Sequence, residues 1–141
     1  MSGKKDRYIY PAIFDFAEDG ISVEFPDLLG CLTCGETQEE AWRMAKEAMA
    51  LHMYGMEEES LPIPEPSPVT QLKFGQNQVI VLVEAFMPGF RREMEQQSIK
   101  KTLTIPKWLN KMAEDEHVNF SLILQDALKE RLGLSEHEHH G

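Results

Sequence analysis

Polar and apolar positions alternate early in the chain. Residues 7–16, RYIYPAIFDF, are rich in aromatic and β-branched side chains, a composition that predicts a strand. Pro11 places that strand at an edge or at a bulge, because proline cannot donate to a ladder. Asp19-Gly20 is a hairpin turn signal. Ile21-Ser22-Val23-Glu24-Phe25 then alternates as a half-buried strand should. Pro26-Asp27 breaks the run, and a loop through Leu28-Leu29-Gly30 leads to a short third strand near residues 31–34.

The period then changes from two to 3.6. Thr37-Gln38-Glu39-Glu40 has the spacing of a capping box, in which Thr37 accepts from the third helical amide and Glu40 reaches back to the cap. Ala41, Met44, Ala45, Ala48 and Met49 follow at i, i+3, i+4, i+7, i+8. This predicts an amphipathic helix of about four turns ending near Tyr54-Gly55. Residues 57–68 are Pro-rich and predict an extended, stiff connector. Residues 79–83, VIVLV, form a continuous apolar run, which predicts a strand buried on both faces or nearly so that returns to the same sheet. The first 90 residues thus read β-β-β-α-β. Residues 91–98 are polar and charged, and read as a linker.

From residue 99 the pattern restarts. Residues 99–105, IKKTLTI, alternate: Leu103 and Ile105 face one way, and Lys100, Thr102 and Thr104 the other. Pro106 opens a helix, where its missing N–H is harmless, with Trp108, Leu109, Met112 and Ala113 as its apolar face. Asn119 caps a second helix carrying Phe120, Ile123, Leu124, Ala127, Leu128 and Leu132, and Gly133 stops it. One strand and two helices in about 35 residues have too small a core to stand alone. A two-fold dimer is the remedy: two strands pair antiparallel, and four helices cover a core of Leu103, Ile105, Trp108, Phe120 and Leu124. The ribbon's other face then presents Lys100, Thr102 and Thr104 from both chains. Such a ribbon fits the major groove of B-DNA, and amides around Asn119 and Ser121 can grip a phosphate. The bland alternative is a plain dimerisation module. Residues 134–141 read as a flexible tail.

The 141 residues suffice for one domain or two small ones. A net charge of −10 argues against nucleic-acid binding until its distribution is considered. Residues 1–60 carry 5 basic and 13 acidic side chains, residues 99–135 carry 6 and 5. The acid is therefore in the front module, where it suits a basic protein partner or simply a solvated surface. No apolar run is long enough to cross a bilayer, and the basic start lacks the apolar core of a secretory signal, so a cytoplasmic location is expected.

Chemistry-bearing motifs are sparse. Cys31 and Cys34 form a C-x-x-C with no second ligand pair for zinc, and they read as small side chains in a strand or turn. The tail residues Glu136 to His140 are weak metal ligands at most. Asp15, Asp19, Glu24 and Asp27 are available for a metal-dependent nuclease, yet they sit at a turn and a proline break and do not converge. Neither catalysis nor a cofactor is expected.

The pattern Phe25-Pro26-Asp27-Leu28-Leu29-Gly30-Cys31-Leu32-Thr33-Cys34-Gly35-Glu36-Thr37, with Glu40-Ala41, Ala45-Lys46-Glu47-Ala48 and the opening Tyr10-Pro11-Ala12-Ile13-Phe14, resembles the HicB antitoxin family over residues 7–90. Leu29 stands where the family often has proline. Residues 99–133 resemble the ribbon-helix-helix repressors. These resemblances imply an α+β chain: a truncated ribonuclease-H-like module without its catalytic centre (residues 1–90), then a ribbon-helix-helix DNA-binding module. They imply an antitoxin that blocks a small basic HicA-type, messenger-RNA-cleaving toxin and represses its own operon by binding operator DNA as a dimer or tetramer. Asp27, Glu36, Glu39 and Glu40 are candidate toxin contacts. A ligand-responsive repressor without a toxin partner is the competing expectation.

Overall fold

The structure is a computed structural model that describes residues 4–134. The chain divides into two compact units, Met1–Ser98 and Ile99–Gly141.

The first unit is a four-stranded antiparallel sheet of order β3-β2-β1-β4, built from β1 (Arg7–Ala17), β2 (Gly20–Glu24), β3 (Leu32–Gly35) and β4 (Gln78–Phe86). Helix α1 (Gln38–Glu58) covers one face, and α2 (Met87–Gln96) follows β4 directly. Tyr8, Tyr10, Ala12 and Phe14 alternate into the core with Ile21 and Val23 of β2 and Val83 and Ala85 of β4. Ala41, Ala45, Met49 and Met53 of α1 recur every four residues on the buried stripe. The small side chains bring helix and sheet close: a Cβ on Gly35 would lie 2.5 Å from the Ala41 amide nitrogen.

Several expectations need correction. β1 is an interior strand, not an edge. Pro11 is tolerated because β2 pairs only with Ile13 to Ala17, so at Pro11 the sole neighbour is Leu82 of β4. The hairpin turn is Glu18-Asp19, one residue earlier than predicted. Gly20 pairs with Ala17 and opens β2 at φ +148°, an angle that L side chains rarely adopt. Helix α1 runs a turn past Gly55, because Glu57 is engaged by tertiary partners described below. β4 is not buried on both faces. It is an edge strand of a sheet with one helix-covered face, so Leu82 on the bare face is exposed, and Val79, on the helix side next to Phe14, is exposed at the edge. The stretch expected as a linker is helical to Gln96. Pro88 stands in its first turn, where the missing donor is harmless, and Met87 is fully buried.

The second unit contains α3 (Lys107–Asp115) and α4 (Phe120–Arg131), as the apolar periodicity predicts. His117 (φ +56°) and Gly133 (φ +81°) end them. Residues 99–105 form no strand in the single chain. The reason is physical: a strand requires a bonded neighbour, and the lone unit offers none. Most of the predicted tail, including the histidines, lies outside the described residues. Among the described residues no helix is long and apolar enough to cross a membrane, and no group of His, Cys, Asp and Glu is placed to hold a metal ion.

Candidate functional site

In the first unit, the start of α1 and the β1–β2 hairpin build an acidic end. Thr37 Oγ1 accepts from the Glu40 amide at 3.1 Å. Glu40 Oε1 accepts from the Glu36 amide at 2.6 Å, one residue before the expected capping position. Glu36 and Thr37 line an open cleft of about 460 Å³ with Glu18 and Asp19. Of the four carboxylates proposed as partner contacts, Glu36, Glu39 and Glu40 are thereby gathered at this end. Asp27 is elsewhere and already occupied. Its carboxylate accepts from the Ser67 amide (2.9 Å) and hydroxyl (2.6 Å), pinning the Pro-rich segment, whose Pro64 carbonyl accepts from Tyr10 Oη. The carboxylates considered for a nuclease do not converge: Asp15 accepts from Gln78 Nε2 on the exposed sheet face, and Asp27 is held by Ser67.

Beside the acidic cleft lies an apolar groove of about 620 Å³, which sequence reasoning missed. It follows from the path of α1. The first turns lie over β3, where Ala41 meets Gly35, while the last turn reaches Tyr8 on β1. The β4 side of the far corner is left uncovered: Val79, paired with the buried Phe14, is exposed, and Val81, paired with the buried Ala12, is partly exposed. Phe14, Phe16, Val79 and Val81 form the floor, Trp42 and Glu39 the helical wall. Trp42 is 46% exposed, and the Lys46 ammonium sits 4.6 Å from its ring centre. The available signal was a tryptophan off the alanine–methionine stripe of an amphipathic helix.

At the opposite end Glu57, only 4% exposed, accepts from Arg91 Nε (2.9 Å) and Nη2 (2.7 Å) and from Tyr8 Oη (2.8 Å). Burial pushes the Glu57 carboxyl up, but the Arg91 and Tyr8 hydrogen bonds outweigh it and hold the carboxyl below its ordinary value. Burial and the bond to Glu57 push the Tyr8 phenol up. Arg91 also donates to the Lys5 carbonyl. This cluster ties α1, α2 and the start of β1 together. Cys31 is buried with its thiol 3.6 Å from the Ala48 carbonyl, and burial pushes it up to about 11. Cys34 is free and exposed.

In the second unit Asn119 Oδ1 accepts from the Leu122 amide at 3.0 Å, the predicted cap. Ser121 Oγ accepts from Gln125 Nε2 at 3.2 Å. Lys100, Thr102 and Thr104 are exposed, outside any helix or strand. Leu103, Ile105, Trp108 and Phe120 are exposed, Trp108 by 64%, and Leu124 is half-buried. A lone chain brings none of them into a core.

Residues 10–127 match the family described as "HicB_like antitoxin of bacterial toxin-antitoxin system". Antitoxin HicB 2 of Photorhabdus laumondii is 41% identical over 58 residues, 41% of this chain and 42% of that protein. An uncharacterised 14.9 kDa protein of Haemophilus phage HP1 is 38% identical over 63 residues, 45% of this chain and 47% of that protein. The chain thus spans less than half the length of these curated relatives. A chain of a toxin–antitoxin complex from Streptococcus pneumoniae superposes with a TM-score of 0.58 at 28% identity, over 89% of this chain and 99% of that one. The Burkholderia pseudomallei antitoxin HicB shares the fold, with a TM-score of 0.51 at 20% identity over 89% of this chain and 98% of that one. Since the match takes in the sheet, α1, α2, α3 and most of α4, the chain belongs to the HicB-like antitoxins of bacterial toxin–antitoxin systems, a non-enzymatic family.

Proposed function

We propose that this chain neutralises a small basic HicA-type, messenger-RNA-cleaving toxin through its first unit and represses its own operon through its second, acting as a homodimer or a tetramer. The observation that carries the proposal is the state of the second unit: none of its described residues, 99–134, is buried. A segment with two helices and exposed Ile99, Leu103, Trp108, Ile123 and Leu132 has the apolar surface of half a core. Pairing with a second copy completes it. Residues 99–105 of two chains then form the antiparallel ribbon, Leu103 and Ile105 turn inward, and Lys100, Thr102 and Thr104 face the major groove, with Asn119 and Ser121 near a phosphate. The first unit is read as a ribonuclease-H-like sheet that has lost its catalytic centre. Its 8 basic and 17 acidic side chains over residues 1–98 favour a basic partner.

The test is co-expression of the chain with the small open reading frame beside its gene, tagging only that neighbour. The expected result is a stable complex in which the neighbour's RNA cleavage is silenced. The same chain should shift its operator at moderate salt, and Thr102→Ala with Thr104→Ala should lose sequence preference while remaining a dimer. A neighbour that neither binds nor cleaves RNA, with operator binding intact, would leave a ligand-responsive repressor instead. Loss of dimerisation in the threonine variant would show that the ribbon faces are assigned wrongly.

A further inference from the structure

We infer that the groove between the first half of α1 and the uncovered β1–β4 corner is where the toxin docks, and that its occupant is a basic amphipathic segment with an apolar side chain as anchor. The inference rests on the antitoxin reading above. Its support is geometric and electrostatic. The floor of Phe14, Phe16, Val79 and Val81 is apolar, and Val79 at 49% exposure is half open to solvent. Trp42 supplies an aromatic wall, 46% exposed, and tryptophan is among the residues enriched at interface hot spots.

The surroundings decide which partner fits. Phe16 and Gln38 line both this groove and the neighbouring cleft, so apolar floor and acidic rim are continuous. Across the two, Glu18, Asp19, Glu36 and Glu39 contribute carboxylates, and none of the described lining residues is basic. The Lys46 ammonium over the Trp42 ring shows that the indole face already accepts a cation. An apolar anchor flanked by Arg or Lys therefore satisfies floor and rim together. A second copy of this unit does not, because it would set one acidic rim against another. The exposed opposite face of the sheet, with Leu82 paired to Pro11, lacks that enclosed floor and serves as the internal control.

The experiment is calorimetric titration of the full chain with the purified neighbouring toxin, comparing wild type with Trp42→Ala, Val79→Glu and Leu82→Glu. Trp42 and Val79 are about half exposed, so these variants should fold, and circular dichroism checks it. Expected are losses of about 30-fold or more in affinity for Trp42→Ala and Val79→Glu, the scale of an interface anchor, against less than about threefold for Leu82→Glu. Toxin should also shift Trp42 emission in a Trp108→Phe background, and rising salt should weaken wild-type binding. Wild-type binding that persists within about threefold in folded Trp42→Ala and Val79→Glu overturns the groove while leaving the antitoxin reading intact. A change in the mass of the free chain, without loss of toxin affinity, overturns it in favour of a contact between copies. If wild type fails to bind the toxin, the antitoxin reading falls and takes the groove with it.

Discussion

Arg91→Met is the most direct probe of why the first unit extends to α2. The Glu57 carboxylate is 4% exposed and Arg91 16%. The substitution keeps the aliphatic stem, removes two charge-assisted bonds to Glu57 of 2.9 and 2.7 Å and the bond to the Lys5 carbonyl, and leaves Tyr8 as the remaining donor to Glu57. Stranding one partner of a buried pair costs about 3–5 kcal/mol. The guanidinium lies near the surface, where water can replace it in part, so the low end of about 3 kcal/mol applies. For a unit of this size that corresponds to roughly 12–24 °C in Tm. Thermal melts by far-ultraviolet circular dichroism measure it, with Trp42 emission in a Trp108→Phe background isolating the first unit. The pH dependence supplies a second check. The Glu57 carboxyl is held below its ordinary value despite the opposing effect of burial. Its contribution is therefore full above the unfolded pKa of about 4.3 and is lost as pH falls through the folded value. In the variant, burial is opposed only by the Tyr8 hydrogen bond and the more distant Lys4 charge, so the folded value rises and acid relieves the stranded charge. The gap between the two proteins should narrow as pH drops towards 4. A loss under about 1 kcal/mol, unchanged with pH, would make the pair an ordinary surface bridge and refute the reasoning.

Gly35→Ala should destabilise the first unit by about 1–3 kcal/mol in urea melts, because its Cβ would meet the Ala41 backbone at 2.5–2.7 Å; an unchanged midpoint would show that α1 can lift off β3 freely. Leu103→Asp should abolish dimerisation and operator binding, read by light scattering and gel shift, since it sets a charge beneath the proposed ribbon; normal operator binding would refute the strand pairing. At pH 8 a thiol reagent should label Cys34 and spare Cys31, whose thiol burial pushes up to about 11; equal labelling in the folded protein would show that the core opens around Cys31.

Local rules were sufficient wherever neighbours along the chain settle the outcome. Alternation from Tyr8 to Phe14 and from Ile21 to Val23, the Thr37 cap, the alanine–methionine stripe of α1, and the Asn119 cap are all short-range patterns, and the elements stand where those patterns put them. The F-P-D-L-x-G-C-x-T-x-G-x-T run also carried the family. The misread features were those that depend on distant partners. Pro11 reads as an edge signal, but whether it harms a ladder depends on where β2 stops. The apolar run at residues 79–83 reads as doubly buried, but burial depends on how many faces a single helix can cover, and α1 covers one. Polar residues 91–98 read as a linker because no sequence rule announces that Arg91 will reach Glu57, 34 positions away. The groove follows from the same cause: Trp42 and Val79 become neighbours only when α1 crosses the sheet and leaves one corner bare. Sequence by itself therefore determined most of the elements, the family and the acidic character of the front unit; it did not announce α2. Tertiary structure alone decided which strand lies at the edge, where the unit ends and which surface is left open, because each depends on packing between segments far apart in the chain.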